Sequence, residues 1–473
     1  MGSLIFADSI VFFISLVVSF LYVWRFNKNY KLGGAFLFLM FFYIICSYSS
    51  YNIMVKPIHD YNLAIPRTFI FHYKVFGPLA PLDILCVLAL FIIIIRKLSS
   101  ANPAVLSINS TVSTYVKYMV IQGGFFAILS TVSFFVYIQS GGKGLVTDQL
   151  ISFRGVLYFI IFIYLFQLCT ERIKEIDFYV IFRFFVIIDF INLVSGFISS
   201  IIYKDYVWSR YGMNISIIDQ DDVYNFFTIY GVLLVSFFLT KPLKRKVIYV
   251  LSVIIGVLVY ANMYKYVFVV GVIYFFYDFV VNSLKGRVAV LKLGAVAIAA
   301  VFLASTFLML STSKSMNTRS GQINDYWEYT GSKFPALLIG IGNGGQFYSP
   351  TDTDDDGEIK VIDKENNSAS YRKSIQTPFV SFIKVVGPLG VIVLLLFSMY
   401  SIIKISALNI SLPYNVIYNA VLFNLLWILA VSAPLFQVTP FTMLTVVKLL
   451  IFVCAFRSGI EESKKNKSDV TRE

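Results

Sequence analysis

The feature that most constrains this chain is a succession of long apolar runs separated by short polar stretches. Thirteen can be read along it, at 7–24, 33–51, 81–95, 115–138, 155–169, 178–202, 223–240, 247–261, 266–283, 288–310, 377–403, 412–432 and 441–456. A helix needs about 20 apolar residues to cross the hydrocarbon core of a bilayer. In lipid, only helices and closed barrels satisfy their own backbone. Runs of this length predict an all-α polytopic membrane protein with about 13 transmembrane helices. The composition agrees, with 58% hydrophobic and 14% charged residues, where soluble domains carry about 25% charged residues. That balance excludes a soluble enzyme, a nucleic-acid binder and a disordered chain.

The charges orient the runs. Lys and Arg number 39 against 26 Asp and Glu, a formal net charge of +13. Basic groups follow every second run: Arg25, Lys28 and Lys31, then Arg96 and Lys97, then Arg172 and Lys174. The series continues with Lys241, Lys244, Arg245 and Lys246, with Lys285 and Arg287, with Lys404, and with Lys464, Lys465 and Lys467 in the tail. The positive-inside rule puts these loops and the C-terminal tail in the cytoplasm and the N-terminus outside. The first run is too long for a signal h-region and lacks a basic n-region, so it reads as a retained helix. Accordingly, 1–310 reads as transmembrane helices 1–10 with short loops, and 311–376 as one large outer loop. Residues 377–456 read as helices 11–13, and 457–473 as a cytoplasmic tail.

Cys46, Cys86, Cys169 and Cys454 all fall in apolar runs and read as small apolar residues, not disulfide partners or metal ligands. Asp189, Lys448, Arg183 and Asp278 are ionisable residues inside runs, where charge is costly. Asp189 lies mid-run, and Lys448 from a neighbouring helix is its expected partner.

The outer loops carry the informative polar residues. Loop 52–80 holds His59 and His72, with Asp60, Arg67 and Lys74, and loop 139–154 holds Lys143, Asp148 and Arg154. Loop 203–222 holds Trp208, Arg210 and the cluster Asp219, Asp221 and Asp222, and the turn 262–265 ends on Lys265. Cations on the outer side oppose the orienting rule. Arg210, Lys265 and Arg319 together suit a phosphate or diphosphate, Arg by its bidentate fork and Lys as a point charge; the competing reading is that they snorkel to lipid headgroups or pair with Asp and Glu.

Loop 311–376, about 65 residues long, is far larger than ordinary connections. The stretch Arg319 to Trp327 is compatible with an amphipathic interfacial helix. After Pro335 come Gly340, Gly342, Gly344 and Gly345, which allow close backbone approach to a ligand and exposed amides. Between 352 and 363 the chain places Asp352, Asp354 and Asp356 at alternate positions, then Gly357 and Glu358, and closes on Asp363. This is the D-x-D-x-D-G pattern of a calcium loop, with Asp where Glu usually closes the cage. No clear helix pair flanks it, and the competing reading is a solvated acidic turn. The expected role of calcium is structural, with Asp352, Asp354, Asp356, Glu358 and Asp363 as ligands.

These residues have a familiar order. An outward Arg (Arg210) is followed by a helical hairpin with a basic outer turn (Lys265) and one large loop. That loop opens with Arg319 and Trp327 and continues with Pro335 and Gly340-Ile-Gly342-Asn-Gly344. It ends on Gln376-Thr-Pro before Gly387-Pro-Leu-Gly390. The layout resembles the O-antigen polymerase and O-antigen ligase superfamily over roughly 200–405. The resemblance implies a multi-pass protein of the bacterial inner membrane whose large loop is periplasmic and catalytic. It implies an undecaprenyl-diphosphate-linked glycan donor and inverting transfer to an acceptor, with membrane lipids as surroundings. Neither nucleotide sugar nor catalytic metal is implied, and a chain-length regulator and flippase of the same pathway are the implied protein partners. Arg210, Arg319 and Lys265 would hold the diphosphate, while Trp208, Trp327, Gly340, Gly342 and Gly344 would contact substrate.

The chain departs from that pattern at Gln376-Thr377, where members often carry His-Asn. Gln376 occupies the catalytic position but cannot act as a base. Either another group substitutes, with Asp325, Glu328, His59 and His72 as candidates, or positioning and leaving-group stabilisation carry the reaction. The missing His favours a polymerase of repeat units over a ligase of the same superfamily. A lipid-linked oligosaccharide flippase is the reading from another class, and mostly uncharged runs with one dominant loop disfavour it.

Overall fold

The computed structural model describes residues 2–49, 75, 79–99, 110–202, 209–210, 213–214, 314–350, 361–362, 370–373, 375, 378–406, 444 and 446–455. This part of the chain is mostly helical. In chain order the helices are α1 (Gly2–Tyr30), α2 (Gly34–Ser49), α3 (Pro81–Ser99), α4 (Ser110–Gln139), α5 (Val146–Lys174) and α6 (Phe178–Ile202). They continue with α7 (Lys314–Gly331), α8 (Ala336–Ile339) and α9 (Pro378–Ser406), and with α10 (Val446–Ala455). Helices α1–α6, α9 and α10 overlie the first six, the eleventh and the thirteenth apolar runs; the remaining runs lie outside the described residues. Among the described residues, Ser3–Tyr30 and Ile121–Gln139 are long and apolar enough to cross a membrane.

The helical core is aromatic. α1 lies against α6 and α2, and α5 contacts α2, α3 and α4. Phe26 of α1 meets Phe184 of α6 at 4.1 Å between ring centroids, and Phe42 of α2 meets Phe162 of α5 at 4.6 Å. Phe452 of α10 packs edge-on to Phe185 at 5.4 Å, the geometry that the ring quadrupole favours. The expected pair is present inside this core. Lys448 Nζ lies 2.9 Å from Asp189 Oδ2 and donates to the Tyr43 hydroxyl at 2.8 Å. Tyr43 in turn donates to the other Asp189 oxygen. All four cysteines are buried, and the Cys454 thiol donates to Thr170 O.

The large loop carries a small antiparallel sheet that the apolar pattern does not announce. Its strands are β1 (Lys143–Gly144), β4 (Gly345–Tyr348), β5 (Val361–Ile362) and β6 (Ser370–Arg372), in the order β1-β4-β6-β5. A separate pair, β2 (Ser209–Arg210) and β3 (Met213–Asn214), aligns Arg210 with Met213. Helix α7 is the expected helix, but it rests on β4 and α8. Tyr137, Tyr326, Ala336, Ile341, Phe347 and Ile375 form the core beneath it.

Residues 139–154 do not form a loop throughout. α5 begins at Val146, so Asp148 and Arg154 are helical. Their polarity has internal partners: Arg154 Nη2 reaches Asp83 Oδ2 of α3 at 2.6 Å, and Tyr158 donates to the other Asp83 oxygen. Hydropathy marked where this helix becomes apolar, not where it starts.

Candidate functional site

The site is a neck where the large loop joins the helices, and it is built around a break in α9. Gly387 sits at φ 69° and ψ 177°, outside helical conformation, and is followed by Pro388. In an unbroken helix, the carbonyl of Lys384 would accept from the amide four residues on, but Pro388 has no N–H. The vacant acceptor is filled from the loop, where the Ile341 amide donates to Lys384 O at 2.7 Å. Gly342 donates to the next carbonyl, Val385 O, at 3.1 Å. The segment 340–342 thus docks into the break as a short extra strand of backbone hydrogen bonds.

Only glycine fits this docking. Gly340 has φ 82°, and a Cβ there would lie 2.6 Å from Gly387 N and 2.7 Å from Lys384 O. The remaining amides of the segment are also bound internally. Gly340 donates to Ala336 O at 2.8 Å, Asn343 to Ser130 Oγ at 3.2 Å, and Gly344 to Gln149 Oε1 at 3.0 Å. Close approach is therefore realised, and the partner approached is the protein's own backbone. The expectation of exposed amides is corrected for 340–344, because each of these five N–H groups has an acceptor inside the fold.

The neighbouring elements meet the same segment. From α4, Ser133 Oγ donates to Ile339 O at 2.6 Å. From the start of α5, Gln149 Nε2 donates to Ser130 Oγ at 3.2 Å, and Asn343 Nδ2 donates to Asp148 O at 3.2 Å. The Tyr137 hydroxyl donates to Gln346 O of β4, and Ser349 Oγ donates to Asp325 Oδ2 at 2.6 Å. Burial pushes the Tyr326 phenol pKa up, so this core residue stays neutral at physiological pH.

Charge concentrates at the neck. The Lys384 side chain is buried, with 1% relative exposure. Its Nζ donates to Lys373 O at 2.6 Å and to Asn343 O at 3.3 Å. Lys373 Nζ itself pairs with Asp148 Oδ2 at 2.6 Å, and that pair is partly exposed. The Asp148 carboxylate is thus paired with Lys373, and the Lys384 ammonium is met by two carbonyl oxygens.

The residues expected to hold substrate are distributed as follows. Arg210 lies in β2 and Arg319 in α7, described through their backbones. Trp327 is partly buried against the core that contains Tyr326, with ring centroids 5.2 Å apart. Gly340, Gly342 and Gly344 line the neck. Trp208, Lys265, Gln376, His59, His72, Asp352, Asp354, Asp356, Glu358 and Asp363 lie outside the described residues. Among the described residues, no group of three His, Cys, Asp or Glu side chains could hold a metal ion.

Sequence reasoning passed over Lys384, Gln149 and Ser130. Lys384 had a signal: it is a lone cation near the start of an otherwise apolar run, three residues before Gly-Pro. Gln149 and Ser130 had none, because their roles depend on contacts distant in sequence. Comparisons with family models, with curated proteins and with solved structures find no match.

Proposed function

We propose that this chain is an integral membrane glycosyltransferase with about 13 transmembrane helices and one large periplasmic loop. It polymerises undecaprenyl-diphosphate-linked oligosaccharide repeat units at the periplasmic face of the bacterial inner membrane, for O-antigen, capsule or exopolysaccharide. The observation that carries the reading is the contact between Gly340-Ile-Gly342 and the break at Gly387-Pro388. These are two of the motifs on which the family resemblance rests. They are far apart in sequence, and each supplies what the other lacks. The apolar face that α1 presents outward, with Phe13, Val17, Leu21 and Trp24 all more than half exposed, supports lipid surroundings.

In this reading the donor is a lipid diphosphate glycan. Arg210, Arg319 and Lys265 bind the diphosphate and stabilise it as leaving group. Gln376 cannot take the acceptor hydroxyl proton, so another group, with Asp325, Glu328, His59 and His72 as candidates, would take it. Calcium at 352–363 would pin the loop and take no part in the chemistry.

A deletion strain tests this reading. Loss of the chain should leave single repeat units on the surface, and plasmid copies with Arg210→Ala or Arg319→Ala should fail to restore long polymer. Accumulation of lipid-linked polymer would indicate a ligase instead, and absence of repeat units outside would indicate a flippase. Full-length polymer from either Arg variant would overturn the assigned roles.

A further inference from the structure

We infer that Lys384 is a positioning residue, whose ammonium fastens the paired strands β4 and β6 of the large loop to the neck of α9. The fastening rests on geometry alone; its consequence for transfer rests on the function proposed above. Lys384 is held at three points. Its carbonyl accepts from Ile341, and its Nζ donates to Asn343 O and to Lys373 O. Asn343 precedes β4 and Lys373 follows β6, so the two acceptors lie at the same end of the antiparallel β4–β6 pair.

The chemistry argues for more than packing. A buried ammonium is expensive, and its cost is offset only by partners held in place. A Leu or Met would fill a similar volume without that cost. What the ammonium adds is direction: one nitrogen ties the ends of β4 and β6, already paired with each other, to α9, a helix with which neither strand pairs. Charge-assisted bonds to carbonyls are also stronger than neutral ones. Fixing Lys373 places its pairing with Asp148, and the chain continues from there through Gln376 into α9. In the proposed reaction, Lys384 acts through this placement and does not touch substrate.

Hydrogen exchange on the full chain purified in detergent tests the fastening directly. Lys384→Met should speed exchange by about tenfold in peptides covering 340–348 and 370–375, with α1 and α2 unchanged. Lys384→Arg should keep most of the protection. Unchanged exchange at both segments would overturn the fastening. Wild-type protein treated with a water-soluble amine acetylating reagent gives a second reading that needs no variant. Lys373 and Lys333 should label while Lys384 stays protected, and labelling of Lys384 at the rate of Lys373 would overturn it too.

The polymer ladder of a complemented deletion strain then tests the consequence. At equal membrane levels, Lys384→Met should give little long polymer and Lys384→Arg should restore it. Normal polymer from Lys384→Met, with both segments loosened, would remove the positioning role and leave the proposed function standing. A wild-type copy that restores no polymer would instead remove the proposed function, while the exchange and labelling results would still decide the fastening.

Discussion

The amide of Ile341 donates to the carbonyl of Lys384 at 2.7 Å, and that carbonyl is open to it because α9 breaks at Gly387, which lies outside helical conformation, ahead of Pro388, which has no N–H. The break therefore exposes the acceptor on which the large loop is seated. Gly340 and Gly387 let the two backbones come close enough to use it.

Substitution at these glycines should be costly. Gly340→Ala puts a side chain at φ 82° and a Cβ 2.6 Å from Gly387 N. Strain of this kind costs about 1–3 kcal/mol before any clash is counted. Gly387→Ala, at φ 69° and against Leu338 O, should cost a similar amount. Gly331→Ala is the control, since nothing lies within 4 Å of its added Cβ and its φ is not positive; there the melting temperature should hold or rise. Melting in detergent measures all three. Equal melting temperatures for Gly340→Ala and wild type would contradict the docking described.

The buried Lys448–Asp189–Tyr43 group makes a different prediction. Lys448→Met leaves the Asp189 carboxylate in an aromatic core with only the Tyr43 hydroxyl of this trio. Removing one partner of a buried pair costs about 3–5 kcal/mol. The paired replacement Asp189→Leu with Lys448→Met removes both charges and should recover most of the loss. A double-mutant cycle on melting reads the coupling, and simple additivity of the two single losses would rule out direct pairing.

Gln149 should behave as a structural acceptor and donor at once. It is 2% exposed, accepts from Gly344 and donates to Ser130. Gln149→Leu leaves the Gly344 amide buried without its acceptor, which costs about 1–3 kcal/mol. Gln149→Glu keeps that acceptor, and the Ser130 hydroxyl can reverse to donate to the new carboxylate. The expected order of melting temperature is therefore wild type, then Gln149→Glu, then Gln149→Leu. A Leu variant as stable as wild type would show that the Gly344 amide had no need of Gln149.

Helix and strand were unequally legible in this sequence. Runs of about 20 apolar residues are long-range signals, and α1 to α6 lie on them. The Asp189–Lys448 pair was legible because a charge in such a run needs a partner. The sheet was not, since its strands are two to four residues long and carry no alternation to read. The neck was half legible. The two glycine motifs stand out in sequence, but nothing local says that 340–342 seats itself on 384–387. For the same reason, glycines that looked suited to a ligand proved to be fitted to the protein itself. Lys384 was hidden by its place at the start of an apolar run, where a lone cation reads as snorkelling to the membrane surface.

The break in α9 finally separates the effects of Gly387 and Pro388. With Gly387 at φ 69° and ψ 177°, the amide at position 388 is turned out of the helical direction whether or not it carries a hydrogen. Pro388→Ala alone should therefore leave the Ile341 amide as protected from exchange as in wild type. Replacing both, Gly387→Ala with Pro388→Ala, removes the residue that favours the left-handed turn and supplies the missing donor. The helix can then close its own bond to Lys384 O, and Ile341 loses its acceptor. Exchange at Ile341 should accelerate in the double variant by about tenfold, together with its neighbour Gly342. Acceleration already in Pro388→Ala would assign the break to the proline instead, and no acceleration in the double variant would mean that side-chain packing, not the open carbonyl, holds the loop in its seat.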